Sequence, residues 1–292
     1  DFTTEMQNTS SSKEISRTNI FGLSGEINER WGLSGSYERG MVQSYTGDIS
    51  KRSAGSIGLS YIERWRIRAS SKIELRLDEG QQREWQYLSY TALQWQVDRD
   101  TTLFGKINLS ESKNTTLDRT EAKYKEIVFG SAYRPVNFDA LNLLAKYTYL
   151  EDETSIGQTD MSNIQEQRAH VLAGEAVYDL NADWQLVEKL ALKIGNEKVT
   201  GFDFTKTQTW LWINRVNYNL YRNWQIGAEY RMLVQEQAKD MKKGALIEVA
   251  RNLGNILQIG VGYNFTDFSD DLTNLDYTSQ GPFIRLSAKI TD

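Results

Sequence analysis

Along the stretch "WRIRASSKIELRLD" the side chains sort into two unlike rows. One row carries Trp65, Ile67, Ala69, Ser71, Ile73, Leu75 and Leu77; the other carries Arg66, Arg68, Ser70, Lys72, Glu74, Arg76 and Asp78. A period of two marks an extended strand with one apolar and one polar face. "LQIGVGYNFTDF" divides in the same way, into Leu257, Ile259, Val261, Tyr263 and Phe265 against Gln258, Gly260, Gly262, Asn264 and Thr266. The pattern predicts strands at roughly 2–9, 17–28, 31–43, 53–62, 65–78, 84–97, 101–112, 122–135, 141–151, 167–179, 183–196, 206–219, 223–236, 243–251, 256–268 and 280–290. These are about sixteen strands, and most exceed the ~5–6 residues usual in globular sheets.

The links between them alternate in kind. Short corners such as "NERW", "IERW", "DRDT", "LNADW", "LYRNW" and "RNLGN" are followed by longer polar links such as "LDEGQQRE", "ESKNTTLDRTEAK", "LEDETSIGQTDMSNIQEQ" and "TDFSDDLTNLDYTSQG". Short turns at one end and long loops at the other are expected of an up-and-down transmembrane barrel. The predicted fold is therefore all-β, a single antiparallel barrel of about sixteen strands over residues 1–292, with both termini on the short-turn side.

Aromatic positions separate a membrane barrel from an amphipathic sheet in water. In "WQYLSYTALQWQV" the apolar row begins with Trp85, ends near Trp95, and holds smaller residues between them. Ten residues at ~3.3 Å each, tilted by roughly 40–45°, rise about 23–25 Å, the height of the apolar band of a membrane barrel. Trp31, Trp65, Trp184 and Trp224 follow short corners, whereas Phe21, Trp85, Trp210, Phe268 and Phe283 lie nearer the long links. Together with Trp95 and Tyr263, the tryptophans fit two interfacial girdles, where a ring can sit in lipid and its N–H or O–H in water. Glu188 and Asn214 break the pattern by falling on the apolar row, which calls for a bulge, a subunit contact or a place near an interface.

Composition narrows the alternatives. With 8 Trp, 15 Tyr and 10 Phe the chain is not built for disorder despite its mean hydropathy of −0.56. No run approaches the ~18 apolar residues of a membrane helix. Absence of cysteine removes disulfides, thiolate metal sites and thiol nucleophiles together. The net charge of −5 argues against a nucleic-acid partner.

Candidate chemistry is thin. His170 is the only histidine, so a hydrolase triad or a histidine metal site would hang on one side chain. The acidic stretch "TDFSDDLTNLD" offers Asp267, Asp270, Asp271 and Asp276 but lacks the order of a calcium-binding loop. No catalytic residue, metal site or cofactor is predicted, and the chain is not expected to be an enzyme. What remains is the polar row. Arg66, Arg68, Lys72, Glu74, Arg76, Lys106, Lys146, Glu175, Glu229, Arg231, Arg285 and Lys289 all read inward, with Lys189, Lys193 and Glu248, giving a lining of mixed sign with a basic excess.

At "SAYRPVNFDALNLLAKYTYLED", "HVLAGEAVYDLNADWQL" and "GALIEVARNLGNILQIGVGYNFTDFSDDLT" the chain resembles the C-terminal outer-membrane barrel domains of large bacterial envelope and surface proteins, of the OmpA-like or autotransporter-like kind. The resemblance implies a bacterial outer-membrane location and a pore or anchor, and brings no catalytic residues with it. Barrels of sixteen to eighteen strands can leave an aqueous channel. The expected function is a porin-like passive channel for ions or small hydrophilic solutes with some anion preference, constricted by the link at 150–167. The alternative is a plugged barrel that anchors a larger envelope complex, with a barrel enzyme as a lesser third. Expected partners are outer-membrane lipid and lipopolysaccharide, and an envelope protein or further copies of the chain.

Overall fold

The period of two is realised as one antiparallel sheet of sixteen strands. The computed structural model describes residues 1–10, 14–44, 47–64, 66–155, 164–199, 201–254, 256–267, 272–273 and 279–288. The first strands are β1 (Phe2–Ser10), β2 (Glu14–Glu26), β3 (Trp31–Ser44), β4 (Ile49–Glu63), β5 (Ile67–Glu79) and β6 (Arg83–Gln96). There follow β7 (Thr101–Asn114), β8 (Arg119–Tyr133), β9 (Leu141–Ser155), β10 (Ile164–Asp179) and β11 (Trp184–Val199). The last are β12 (Thr205–Leu220), β13 (Trp224–Gln235), β14 (Asp240–Leu253), β15 (Leu257–Asn264) and β16 (Gly281–Ala288). Each strand pairs with its neighbours in sequence, and among the described residues β1 and β16 share no ladder.

The repeated corners have a common device. Asn28 Oδ1 accepts from the N–H groups of Arg30 and Trp31 at 2.9 and 3.0 Å, and Asn181 Oδ1 from those of Asp183 and Trp184 at 2.9 and 3.0 Å. Asp98 does the same for Asp100 and Thr101 at 2.8 and 2.7 Å. These are Asx turns, in which a short polar side chain takes the place of a backbone acceptor. The N–H of Asp100, followed by that of Thr101, holds the Asp98 carboxyl below its ordinary range. Three-residue corners use another solution, a left-handed residue at Arg64, Asn223 or Gly254, with φ of 42°, 66° and 67°. Asn181→Ala is expected to cost about 1 kcal/mol, read from urea unfolding in lipid vesicles. An unchanged midpoint would show that the corner is held by its strands alone.

At the opposite end several polar links prove to contain strand. β7 and β8 run on until only residues 115–118 turn between them, and Asn114, fully buried, accepts from the N–H groups of Thr116 and Leu117 at 3.1 Å each. Its amide also donates to Gln82 Oε1 and Glu121 Oε1 at 2.6 and 3.0 Å, tying two adjacent turns together. The longest connection, at 265–280, follows β15, which stops at Asn264 short of its expected end. Of the link expected to constrict the barrel, residues 150–155 and 164–167 belong to β9 and β10, and residues 156–163 lie outside the described residues.

The two rows of the sequence become two faces. Outward at the short-turn end, Trp31 packs on Tyr61 with ring centroids 4.7 Å apart and Trp184 on Tyr218 at 4.5 Å, while the Arg251 guanidinium lies 5.4 Å from the Trp224 ring. Trp95, level with Ile67 at the start of β5, belongs to the same end. Outward at the other end, Trp85 stacks on Tyr87 at 6.2 Å, Trp210 Nε1 donates to Glu236 at 3.0 Å, and Tyr263 meets Phe265 at 5.0 Å. Trp65 and Phe268 lie outside the described residues. Between these belts the outer face stays apolar and exposed, with Ile57, Leu172 and Leu190 each more than half accessible. So much apolar surface needs a lipid neighbour rather than water. No helix of the described residues is long and apolar enough to cross a membrane.

Glu188 and Asn214 do face outward, with no break in the β11–β12 register. They answer each other: Asn214 Nδ2 donates to Glu188 Oε1 and Trp212 Nε1 to Oε2, both at 2.8 Å. No bulge is needed, and the register shift that does occur lies at Ser112/Lys113 between β7 and β8.

Candidate functional site: the inner face

Cross-strand register fixes which residues share the inner face. On the first strands these are small: Ser34 is opposite Gly58, Ser36 opposite Ser56 and Gly32 opposite Ser60. Ser36 and Ser56 are linked by a 2.7 Å hydrogen bond. This serine- and glycine-rich wall borders a cavity of about 670 Å³ that reaches Glu26, Lys72 and Tyr90.

The inner face toward the other end of the sheet is filled. Glu248 on β14 is 2 % exposed and takes ion pairs from Arg215 at 2.7 Å and Arg285 at 2.8 Å. Arg215 also approaches Glu229 at 3.4 Å, and Glu229 in turn holds Arg231. The result is a charge ladder from β12 to β16. Glycines make room for it: a Cβ at Gly227 would stand 2.8 Å from Arg215 Nη2, and one at Gly260 would overlap the Glu248 carboxylate. Gly260→Ala is expected to destabilise the protein by about 1–3 kcal/mol, because the carboxylate it displaces is locked between two guanidinium groups. An alanine variant with an unaltered urea midpoint would show that the ladder gives way freely.

The predicted inward residues can now be placed. Arg68, Lys72, Glu74, Arg76, Lys106, Lys146, Glu175, Glu229, Arg231 and Arg285 all share the inner face by register. Arg66 sits in the corner before β5, its N–H bonded to Glu63 O at 2.9 Å, and Lys289 lies outside the described residues. The structure brings Glu229, Arg231 and Arg285 into one network and Lys72, Glu74 and Arg76 into another, with Lys72 3.2 Å and Arg76 3.9 Å from Glu74. Lys106 pairs with Glu126 at 2.8 Å, and Arg52 grips Asp78 through two 3.0 Å bonds. Many of the inner cations are thus compensated in place by carboxylates on the same or neighbouring strands. Arg52, Asp78, Glu126 and Arg215 are not singled out by the sequence pattern; opposite charges at register partners mark Arg52 with Asp78 and Arg215 with Glu229, whereas Glu126 is level with Asn108 and Leu150.

One further residue enters this space from a loop. Leu272, in the connection between β15 and β16, is 8 % exposed and packs with Val171, Ala191, Leu211 and Ile213 on the inner face of β10–β12. Ala173 and Leu233 flank the cluster. Phe283, one of the aromatics near the long links, faces inward over Gly262 rather than outward.

His170 stands on the outer phase, not within this lining. The Tyr147 hydroxyl lies 2.7 Å from its Nδ1, and the Tyr149 ring packs beside it at 5.1 Å. Among the described residues no group of three histidine or carboxylate side chains is placed to hold a metal ion. Of the acidic stretch, Asp270, Asp271 and Asp276 lie outside the described residues, while Asp267 accepts from the N–H of Gln280 and closes the base of the loop.

This geometry matches known architecture. The siderophore receptor PiuA from Acinetobacter baumannii superposes with a TM-score of 0.56 at 10 % identity, over 98 % of this chain and 63 % of that one. The ferric citrate transporter FecA in its unliganded form superposes at 0.53 and 13 % identity, over 95 % of this chain and 53 % of that one. The fold is that of an outer-membrane β-barrel. This chain therefore spans a little over half to under two thirds of those proteins' lengths. No family model matches it, and no curated protein matches it in sequence, so the OmpA-like or autotransporter-like part of the resemblance has no family model behind it.

Proposed function

We propose that the chain forms a passive outer-membrane pathway for ions or small hydrophilic solutes. The observation that carries this reading is the asymmetry of the inner face: a charged, packed stretch on β12–β16 and, toward the other end of the sheet, a wall of serine and glycine bordering an open cavity. Small hydroxyl-lined surface offers hydrogen bonds to a hydrated solute, with few charges at the margin to trap it. Because the charged residues are paired locally, charge selectivity is expected to be weak rather than strongly anionic. Planar-bilayer recording of the refolded protein tests this. Discrete open-channel currents with a cation-to-anion permeability ratio near one are expected, and a well-folded barrel that never conducts would refute the pore.

A second reading is supported by Leu272, a residue of the β15–β16 connection that packs on the inner face of β10–β12. In this reading the barrel is largely occupied and serves as a membrane anchor for an envelope partner or for further copies of the chain. Stoichiometric co-purification of a partner, with no conductance, would select it.

A further inference from the structure

The outer face carries one feature that a pore does not use. Arg17 on β2 and Lys51 on β4 are both register partners of Met41 on β3, and Arg39, two residues along β3, is the partner of Asn19. All three cations are exposed, and with Met6 they line an open groove of about 430 Å³. From Trp31 to Arg39, and from Tyr61 to Lys51, the strands climb roughly 19–25 Å at a tilt of ~40–45°. The apolar band is about 25 Å tall, so the cations stand at its far edge, where lipid head groups begin.

At the same end of the sheet, the other flank neutralises its own charges. Lys123 lies 3.3 Å and Arg168 4.0 Å from Glu151, and Arg168 also pairs with Glu166. On β2–β4 nothing comparable occurs. The carboxylate nearest in register is Glu79, opposite Lys51, and it is engaged by Arg83 at 3.3 Å. Among the described residues Arg17, Arg39 and Lys51 have no carboxylate partner. Three uncompensated cations at the edge of hydrocarbon call for an anion supplied from outside the chain.

We propose that this groove seats the phosphorylated sugar head of an outer-leaflet glycolipid of the lipid A type. Two guanidinium forks and an ammonium suit a phosphate, and the Met6 and Met41 side chains offer an adaptable apolar floor to an acyl chain. The proposal rests on the outer-membrane reading, and the two fail separately: a chain that does not insert into phosphatidylcholine vesicles at all overturns both, before any glycolipid is added.

The test uses the refolded full chain and two probes, diphosphorylated lipid A and its dephosphorylated form, with retention measured on immobilised protein. Wild-type protein is expected to retain the phosphorylated probe preferentially. The variant Arg17→Gln/Arg39→Gln/Lys51→Gln is expected to retain it roughly a hundredfold less, from about fivefold per cation. Lys123→Gln/Arg168→Gln, on the self-neutralised flank, is expected to change retention little. Equal retention of the two probes, or of the phosphorylated probe by wild type and triple variant, overturns the proposal. Should the triple variant not fold, the wild-type protein still decides: retention must fall steeply as salt is raised from about 50 to 500 mM, and salt-insensitive retention overturns the proposal.

Discussion

Replacing Glu248 with leucine is expected to destabilise the barrel by about 3–5 kcal/mol, the usual cost of removing one partner from a buried ion pair. The carboxylate is 2 % exposed and pairs with Arg215 at 2.7 Å and Arg285 at 2.8 Å, so its loss removes the counter-charge that the two guanidinium groups share. Glu248→Gln keeps the shape and part of the hydrogen bonding, and its loss should be smaller. Arg215 retains Glu229 in either variant, whereas Arg285 has no second carboxylate partner among the described residues. Damage should therefore concentrate on the β14–β16 side, visible as faster amide exchange there. A leucine variant within 1 kcal/mol of wild type in urea would show that water, not Glu248, compensates the arginines.

Leu272→Asp is the second variant with a large expected effect, this time on conduction. A buried leucine contributes about 1.5–3 kcal/mol, so removing it shifts the balance between a docked and an undocked loop by roughly 10- to 100-fold. The aspartate would add the cost of a charge placed against Val171, Leu211 and Ile213. Single-channel conductance should rise, and any flicker between levels in the wild type should disappear. Identical traces from both proteins would mean that the loop does not lie across the path. Under the anchor reading the same substitution would open a conducting lumen where the wild type has none, so one experiment bears on both.

Strand number and phase were legible in the sequence because each depends on near neighbours only. The corner residues Asn28, Asp98 and Asn181 announce themselves by type and by the bulky or β-branched residue three positions on. Strand ends at the far side were harder to read. "ESKNTTLDRTEAK" looks like a loop because its outer row lies beyond the apolar band and becomes polar, erasing the alternation although the ladder continues. Charge pairing was legible as parity but not as partnership: that Glu248 meets Arg215, on a strand two away, follows from twist and side-chain length rather than from spacing. Leu272 left no usable signal. It is one of four apolar residues in an aspartate-rich stretch, beside Phe268, Leu275 and Tyr277, and only its neighbours on β10–β12 distinguish it.

The pairing order itself has a consequence for how the sheet comes together. Every ladder among the described residues joins strands adjacent in the chain, without a crossover. Closing a turn such as 80–82 or 115–118 brings together ends that were never far apart, and the entropy lost at each step is small because it grows only with the logarithm of loop length. A sheet this wide is thereby reached as a succession of local hairpins, with low contact order despite its size.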